Sequence, residues 1–104
     1  RLAAGFFEPA RLQKGLRRLS RLVANLQTTP ADADWSVIEV SQLPSGIGRT
    51  LLIGGKDGAT LSLTLTLQAN PDRPLIAVGY HLPNETAPEV ARPMLQAVME
   101  TLRG

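Results

Sequence analysis

The sequence contains no cysteine, and this absence excludes several kinds of chemistry. A chain without cysteine forms no disulfide, holds no metal through thiolates and offers no thiol nucleophile. It also leaves the cellular compartment open, because such a chain tolerates oxidising and reducing surroundings alike. Histidine is nearly as scarce, since His81 is the only one. A metal site built from two histidines of this chain is therefore excluded.

Aromatic residues make up only 4% of the chain, and long hydrophobic runs are missing. The core must therefore be built mainly from Leu, Ile, Val and Ala, and few rings are present to stack on nucleobases. No apolar run approaches the ~20 residues that a transmembrane helix needs, so we predict no membrane span.

The length and composition are those of a soluble globular domain, with 104 residues, 43% hydrophobic and 19% charged. A chain of this size can bury roughly 65% of the surface that its unfolded form exposes. We therefore predict a single domain over residues 1–104. Because the first residue is Arg1 and not Met, we expect this domain to be an excerpt of a longer chain.

Residues 59–68 alternate apolar and hydroxyl side chains without a break. Successive side chains of a strand point to opposite faces of the sheet, so this period of two predicts a strand with one buried face. A parallel strand would be apolar on both faces, which favours an antiparallel sheet with this strand at its centre. The leucine face comprises Leu61, Leu63, Leu65 and Leu67, and the hydroxyl face comprises Thr60, Ser62, Thr64 and Thr66.

Three further strands are predicted at 35–43, 47–53 and 75–82, each bounded by residues typical of turns. Alternation in the last of them predicts an inward set of Ile76, Val78, Tyr80 and Leu82. The glycines in segment 54–58 are typical of a tight hairpin turn before the central strand. Short connections place consecutive strands side by side, so we predict a four-stranded antiparallel meander.

A first helix is predicted from Pro9 to about Gln27, because proline favours the first position of a helix. Leucine and valine recur along it every three or four residues, as on a helix with one apolar face. Positive side chains fall together on a separate arc, the cationic face, and they are Arg11, Lys14, Arg17, Arg18 and Arg21. Gly15 costs a helix about 1 kcal/mol relative to alanine, which indicates a close neighbour at that position.

A second helix is predicted near the end of the chain. Thr86 and Glu89 have the spacing of a capping box, in which each side chain satisfies a free backbone N–H at the helix start. Pro93 would interrupt such a helix, so either its first turn is separate or the main helix starts near Val90. The predicted fold is thus α+β, in the order helix-β-β-β-β-helix, with both helices packed on the leucine face.

No group of residues has the pattern of a catalytic or cofactor site. Asp32 and Asp34 lie in a predicted turn, and His81 lacks a second histidine. The glycine-containing segments 46–50 and 54–58 match neither the P-loop nor the dinucleotide-binding pattern, and no serine lies in a G-x-S-x-G elbow. We therefore expect a protein that is not an enzyme and that uses no metal or cofactor.

The element order resembles the RWD fold of protein-interaction modules, with Tyr80-His81-Leu82-Pro83 leaving the last strand and Pro88 before the final helix. The Tyr-Pro-x-x-x-Pro motif of that family is not reproduced, since Pro83 lies three residues after Tyr80. The closing strand-Leu-Pro-helix segment is also similar to secretion-chaperone-like domains. Those domains carry a helix between their middle strands, and segment 68–74 of this chain is too short for one. Both resemblances imply a non-catalytic protein-binding module, and neither assigns a site residue.

The leading hypothesis is a protein–protein interaction or assembly module, of adaptor or chaperone type, that binds another protein or a second copy of itself as an oligomer. Its candidate surfaces are the hydroxyl face and the first helix. The alternative is an anion-binding module that holds nucleic acid or an acidic membrane surface on the cationic face. Residues 1–27 carry a net charge of +5 and residues 28–104 carry −3, so the basic charge is concentrated in the first helix. A total of only +2 and the scarcity of aromatics favour a protein partner over nucleic acid.

Overall fold

The computed structural model describes residues 9–29, 32–55, 58–68, 75–83 and 85–103. Its elements are α1 (Pro9–Gln27), β1 (Trp35–Gln42), β2 (Gly48–Gly55), β3 (Thr60–Gln68), β4 (Leu75–His81) and α2 (Pro88–Arg103). The predicted order is confirmed, and the strand ends differ from the predicted ones by two residues at most. Residues 56–57 of the predicted hairpin segment lie outside the described residues.

The four strands form one sheet in the order β1-β2-β3-β4, and each neighbouring pair is antiparallel. The register places Leu51 of β2 opposite Leu63 of β3, and Leu65 of β3 opposite Val78 of β4. Residues that lie directly opposite each other share a face of the sheet, so these apolar side chains point the same way. The predicted meander is confirmed.

The leucine face of β3 is the centre of the core. All four of its leucines are at most 1% exposed, whereas the four residues of the hydroxyl face are only partly buried. The alternation of burial follows the alternation of the sequence residue by residue. One face of the sheet therefore faces the protein interior, as the period of two predicted.

Both helices pack on the leucine face, which confirms the predicted layers. Leu19 and Leu26 of α1 and Val98 of α2 are fully buried in one cluster with leucines of β3. The main sheet contacts of α1 are with β1 and β3, and those of α2 are with β3. The helices therefore lie mainly over β1 to β3, and part of β4 is left uncovered.

Gly15 is the point at which α1 approaches the sheet most closely. It is buried, and a Cβ atom added to it would lie 2.7 Å from Cδ1 and 2.8 Å from Cδ2 of Leu67. Carbon atoms in normal contact are about 3.5–4.0 Å apart, so glycine leaves the room that the leucine side chain occupies. The close neighbour expected at Gly15 is thereby identified as Leu67.

Two glycines adopt the left-handed backbone conformation, which side-chain-bearing residues rarely do. Gly46 has a φ of 80°, and its N–H donates to the carbonyl oxygen of Leu43 at 2.9 Å in the turn between β1 and β2. Gly58 has a φ of 75° in the connection before β3. Gly54 and Gly55 belong to β2 itself, so the hairpin is shorter than the predicted 54–58 segment.

The start of α2 differs from the predicted capping box. The hydroxyl of Thr86 donates to the carbonyl oxygen of Thr60 at 3.1 Å and accepts from the N–H of Thr60 at 3.4 Å. The carbonyl of Ala87 instead accepts the N–H groups of Val90 and Ala91, which makes Ala87 the residue before the first helical turn. Thr86 therefore fastens the chain to the first residue of β3, because a buried hydroxyl needs a hydrogen-bond partner.

Both predicted consequences of Pro93 are also wrong. The helix runs from Pro88 to Arg103 with Pro93 inside it, so its first turn is not separate and it does not start near Val90. The buried residues Ala91 and Met94 flank the proline, whose own ring is exposed. Burial of this apolar face stabilises the helix enough to tolerate the one backbone hydrogen bond that proline removes.

Candidate functional site

The fourth strand carries the most distinctive surface of the described part of the chain. It ends the sheet, so alternate residues point their backbone N–H and C=O groups away from β3, where no other described strand pairs with them. Leu75–His81 contains no proline, no Lys or Arg and no Asp or Glu. Its pairing with β3 proceeds without a bulge. It therefore lacks the usual features that prevent an edge strand from pairing with another chain.

The opposite edge of the sheet is protected. The register of β1 against β2 shifts between Val37 and Glu39, which is a β-bulge, and Ile38 at the bulge is 59% exposed. A bulge twists the edge and interrupts its row of hydrogen-bonding groups, and the charge of Glu39 disfavours an added apolar strand. The two edges of the described sheet therefore differ, and β4 is the one whose ladder runs without a bulge.

Exposed apolar side chains concentrate on the same strand. Among the described residues, the exposed large hydrophobic side chains are Ile38, Leu75, Val78, Tyr80 and Val90. Three of these five belong to β4, where Val78 is 38% and Tyr80 58% exposed. Val78 and Tyr80 lie opposite Leu65 and Leu63 and so extend the leucine face beyond the helices. The predicted inward set is therefore wrong for these two residues, because the helices do not extend over them.

Only two members of that predicted set contribute to the core. Ile76 and Leu82 are partly buried and pack against the central cluster. Sequence alternation assigned all four residues to one face, and the register of β4 agrees for the three within the strand. What alternation could not show is that the face is uncovered at the sheet edge. The one available signal was the meander order itself, since the last strand of a meander lies at an edge.

The hydroxyl face forms a shallow surface of small side chains on the other side of the sheet. Thr64 lies between Thr50 and Gly79, and Ser62 lies between Leu52 and His81. These residues are partly buried by their strand neighbours, and both described helices lie on the opposite side of the sheet. The structure brings the four predicted residues onto one row of β3 and leaves them accessible. An antiparallel sheet commonly keeps such a face in water.

The cationic face is also presented to solvent. Lys14, Arg17, Arg18 and Arg21 are exposed, and Arg11 is partly buried. Within the part of the chain that the structure describes, the four exposed side chains form no ion pair. Positive groups at three- and four-residue spacing on one helix repel each other weakly, and a bound anion would relieve that repulsion. The arrangement can therefore hold an acidic surface.

A cavity of about 430 Å³ lies between the first half of α2, the turn before β1 and the end of β2. Its lining is mostly apolar and includes Trp35, Val90, Pro93 and Met94, with Asp32 and Asp34 also contributing. Asp32 and Asp34 are both exposed. His81 is exposed at the end of β4, whereas the two aspartates precede β1, the strand at the opposite edge of the sheet. No group of three or more His, Cys, Asp or Glu residues in the described ranges could hold a metal ion. The cavity can accept an apolar side chain.

In three comparisons with known proteins, the chain matches no protein-family model, no curated protein and no solved structure. The likeness to the RWD fold and to secretion-chaperone-like domains therefore rests on element order and on the short closing segment around Pro83 and Pro88. Neither of the two described helices is long and apolar enough to cross a membrane.

Proposed function

We propose that this domain is a non-catalytic protein–protein interaction module that binds another polypeptide chain along the free edge of β4. One observation carries the proposal: an edge strand without bulge, proline or charge presents Val78 and Tyr80 as an uncovered continuation of the leucine face. Strand addition to such an edge obtains affinity from backbone hydrogen bonds and specificity from alternate side chains.

The hydroxyl face supports the same general function less directly. Its threonine and serine side chains offer little apolar area, and burial of apolar area is the main favourable term in association. Water already satisfies exposed hydroxyls, so a partner would have to replace those hydrogen bonds one by one. The β4 edge has unpaired backbone groups and apolar side chains together, and it is therefore the better candidate for the interface.

The substitution Val78→Lys tests this proposal. An added strand would enclose the lysine ammonium beside apolar side chains, and burying an unpaired charge is costly, so we expect association to weaken at least about tenfold. The measurements are sedimentation velocity for self-association and quantitative pull-down for association with other chains. Circular dichroism of the free protein should remain that of the wild type, because Val78 is exposed before binding.

Ser41→Lys is the matched control. Ser41 is exposed on β1, the other edge strand, so the same charge is added to an edge that the proposal does not use. Association should be unchanged in this variant. The proposal would be wrong if Val78→Lys associates as well as wild type. It would be equally wrong if the wild-type protein is strictly monomeric and every partner that it recovers is also recovered by Val78→Lys.

A second candidate function is favoured by the four exposed side chains of the cationic face, which form no ion pair with any other residue that the structure describes. We propose it as anion binding to nucleic acid or to an acidic vesicle surface. Contacts with phosphates release counterions, so such binding must weaken as salt rises. Membrane insertion is disfavoured because the leucine and valine face of α1 is already buried in the core.

The double substitution Arg17→Glu and Arg18→Glu should strongly weaken this salt-sensitive binding. If both arginines contact phosphates, the slope of log affinity against log salt should fall in magnitude by about two. Fluorescence anisotropy with DNA and RNA oligonucleotides, and co-sedimentation with phosphatidylserine vesicles, measure the two sources separately. The charge-matched control is Arg92→Glu with Arg103→Glu, two exposed arginines on α2. Absence of salt-sensitive binding by the wild type would reject this second function.

A further inference from the structure

We infer that the chain which pairs with β4 is a second copy of this protein, antiparallel and centred on Val78. The inference rests on the proposed function, because it names the occupant of the β4 edge. Its basis is the self-complementarity of the strand Leu75–His81 about its middle residue.

A two-fold axis at Val78 defines every pair in the new ladder. Val78 meets the same residue of the second copy, Ala77 meets Gly79, and the outermost pair is Leu75 with His81. Ile76 meets Tyr80 on the leucine side, since the register against β3 places Ile76, Val78 and Tyr80 on that side. Opposite residues of antiparallel strands share a face, so Ile76, Val78 and Tyr80 of the two edges meet on the leucine side.

The chemistry of these pairs favours a second copy over an unrelated strand. In a two-fold interface, the residues of β4 face the residues of an identical β4 strand. Two like charges that faced each other there would be destabilising. The strand has no Lys, Arg, Asp or Glu, so no such repulsion arises. Tyr80 opposite Ile76 is an aromatic and β-branched pair, which is a stabilising cross-strand combination. Ala77 and Gly79 are small and allow close approach on the hydroxyl side.

The resulting dimer is a continuous sheet of eight strands. A two-fold axis perpendicular to the sheet leaves each face on its own side, so all four helices lie over the leucine side and the two hydroxyl faces become continuous. The pairing is short, because seven residues of strand extend only about 23 Å. An interface limited to this strip is well below the ~800 Å² per partner of stable complexes, so we infer a reversible, concentration-dependent dimer.

The substitution Val78→Cys tests both the partner and the register. Because the chain has no cysteine, a single introduced thiol can form a disulfide only with another molecule. In the inferred register the two Cα atoms at position 78 are about 4.5–5.5 Å apart, within reach of a disulfide. We expect a covalent dimer under a glutathione redox buffer, while the wild-type protein shows a monomer–dimer equilibrium by sedimentation.

Leu75→Cys is the matched control, since Leu75 and Val78 lie on the same strand and are both 38% exposed. In the inferred register the two copies of residue 75 are about 20 Å apart, so this variant should form no disulfide-linked dimer under the same conditions. Equal cross-linking of both variants, or none by Val78→Cys at concentrations where the wild type associates, would overturn the inference. A third outcome is that the wild type is monomeric but binds a different chain, and that Val78→Lys loses this binding. The inference of a second copy would then be wrong, and the proposed β4 interface would stand.

Discussion

Replacing Leu63 by alanine should lower the free energy of unfolding by about 2–5 kcal/mol, the range for truncating a fully buried leucine. Leu63 is 0% exposed and lies between Leu51 and Tyr80 in the middle of the leucine face. Its removal leaves a cavity that neighbouring strands cannot close, because the ladder holds them at fixed spacing. Urea unfolding followed by circular dichroism and by fluorescence of Trp35, the sole tryptophan and a buried one, measures the loss.

Thr64→Ala is the control for this experiment, because Thr64 is the next residue of the same strand and faces the other side of the sheet. It removes a partly buried hydroxyl and a methyl group from an accessible face, and we expect a loss below about 1 kcal/mol. Similar losses for the two substitutions would contradict the assignment of the leucine face to the core.

The second large effect is expected at Gly15, where the overlap of an added alanine methyl group should cost about 1–3 kcal/mol, a net destabilisation of up to about 2 kcal/mol after the gain in helix propensity. Helix propensity alone predicts the opposite, since alanine is about 1 kcal/mol better than glycine inside a helix. The added Cβ would lie 2.7 Å from Cδ1 of Leu67, a side chain that is only 1% exposed and has little room to move. Steric overlap therefore outweighs the propensity gain.

Two control experiments separate steric overlap with Leu67 from other causes of destabilisation by Gly15→Ala. Ser20→Ala, at an exposed position of the same helix, should be neutral or stabilising by a few tenths of a kcal/mol. Leu67→Val shortens the side chain that meets the new methyl group, so Gly15→Ala should cost less in that background than alone. A stabilising effect of Gly15→Ala in the wild-type background would show that α1 does not approach β3 this closely.

The two proposed binding surfaces are physically independent. The cationic face points away from the core on α1, whereas strand pairing uses the edge of β4. A dimer formed at β4 would therefore present two cationic faces to one polymer or surface. Two linked sites bind such a ligand more strongly than one site when both can engage together.

Local periodicity in the sequence determined the secondary structure. It also determined which side chains of β3 and α1 are buried in the core. Alternation over 59–68 marks the leucine face, and the spacing of leucines after Pro9 marks the buried stripe of α1. Both signals depend only on how a strand or helix directs successive side chains, so they can be read without knowledge of distant residues. The positions on the hydroxyl and cationic faces follow from the same rule, while their role in binding stays a prediction.

The tertiary structure alone decided how far the helices extend over the sheet and which distant segments meet, and two results follow from these contacts. Val78 and Tyr80 are exposed because α1 and α2 lie mainly over β1 to β3, although both residues alternate with polar or small neighbours as they would in a buried strand. Thr86 binds the backbone of Thr60, a residue 26 positions away, rather than capping its own helix. Local patterns specify the direction of a side chain, but only contacts between distant segments determine what it meets, and the β4 edge is therefore a property of the fold.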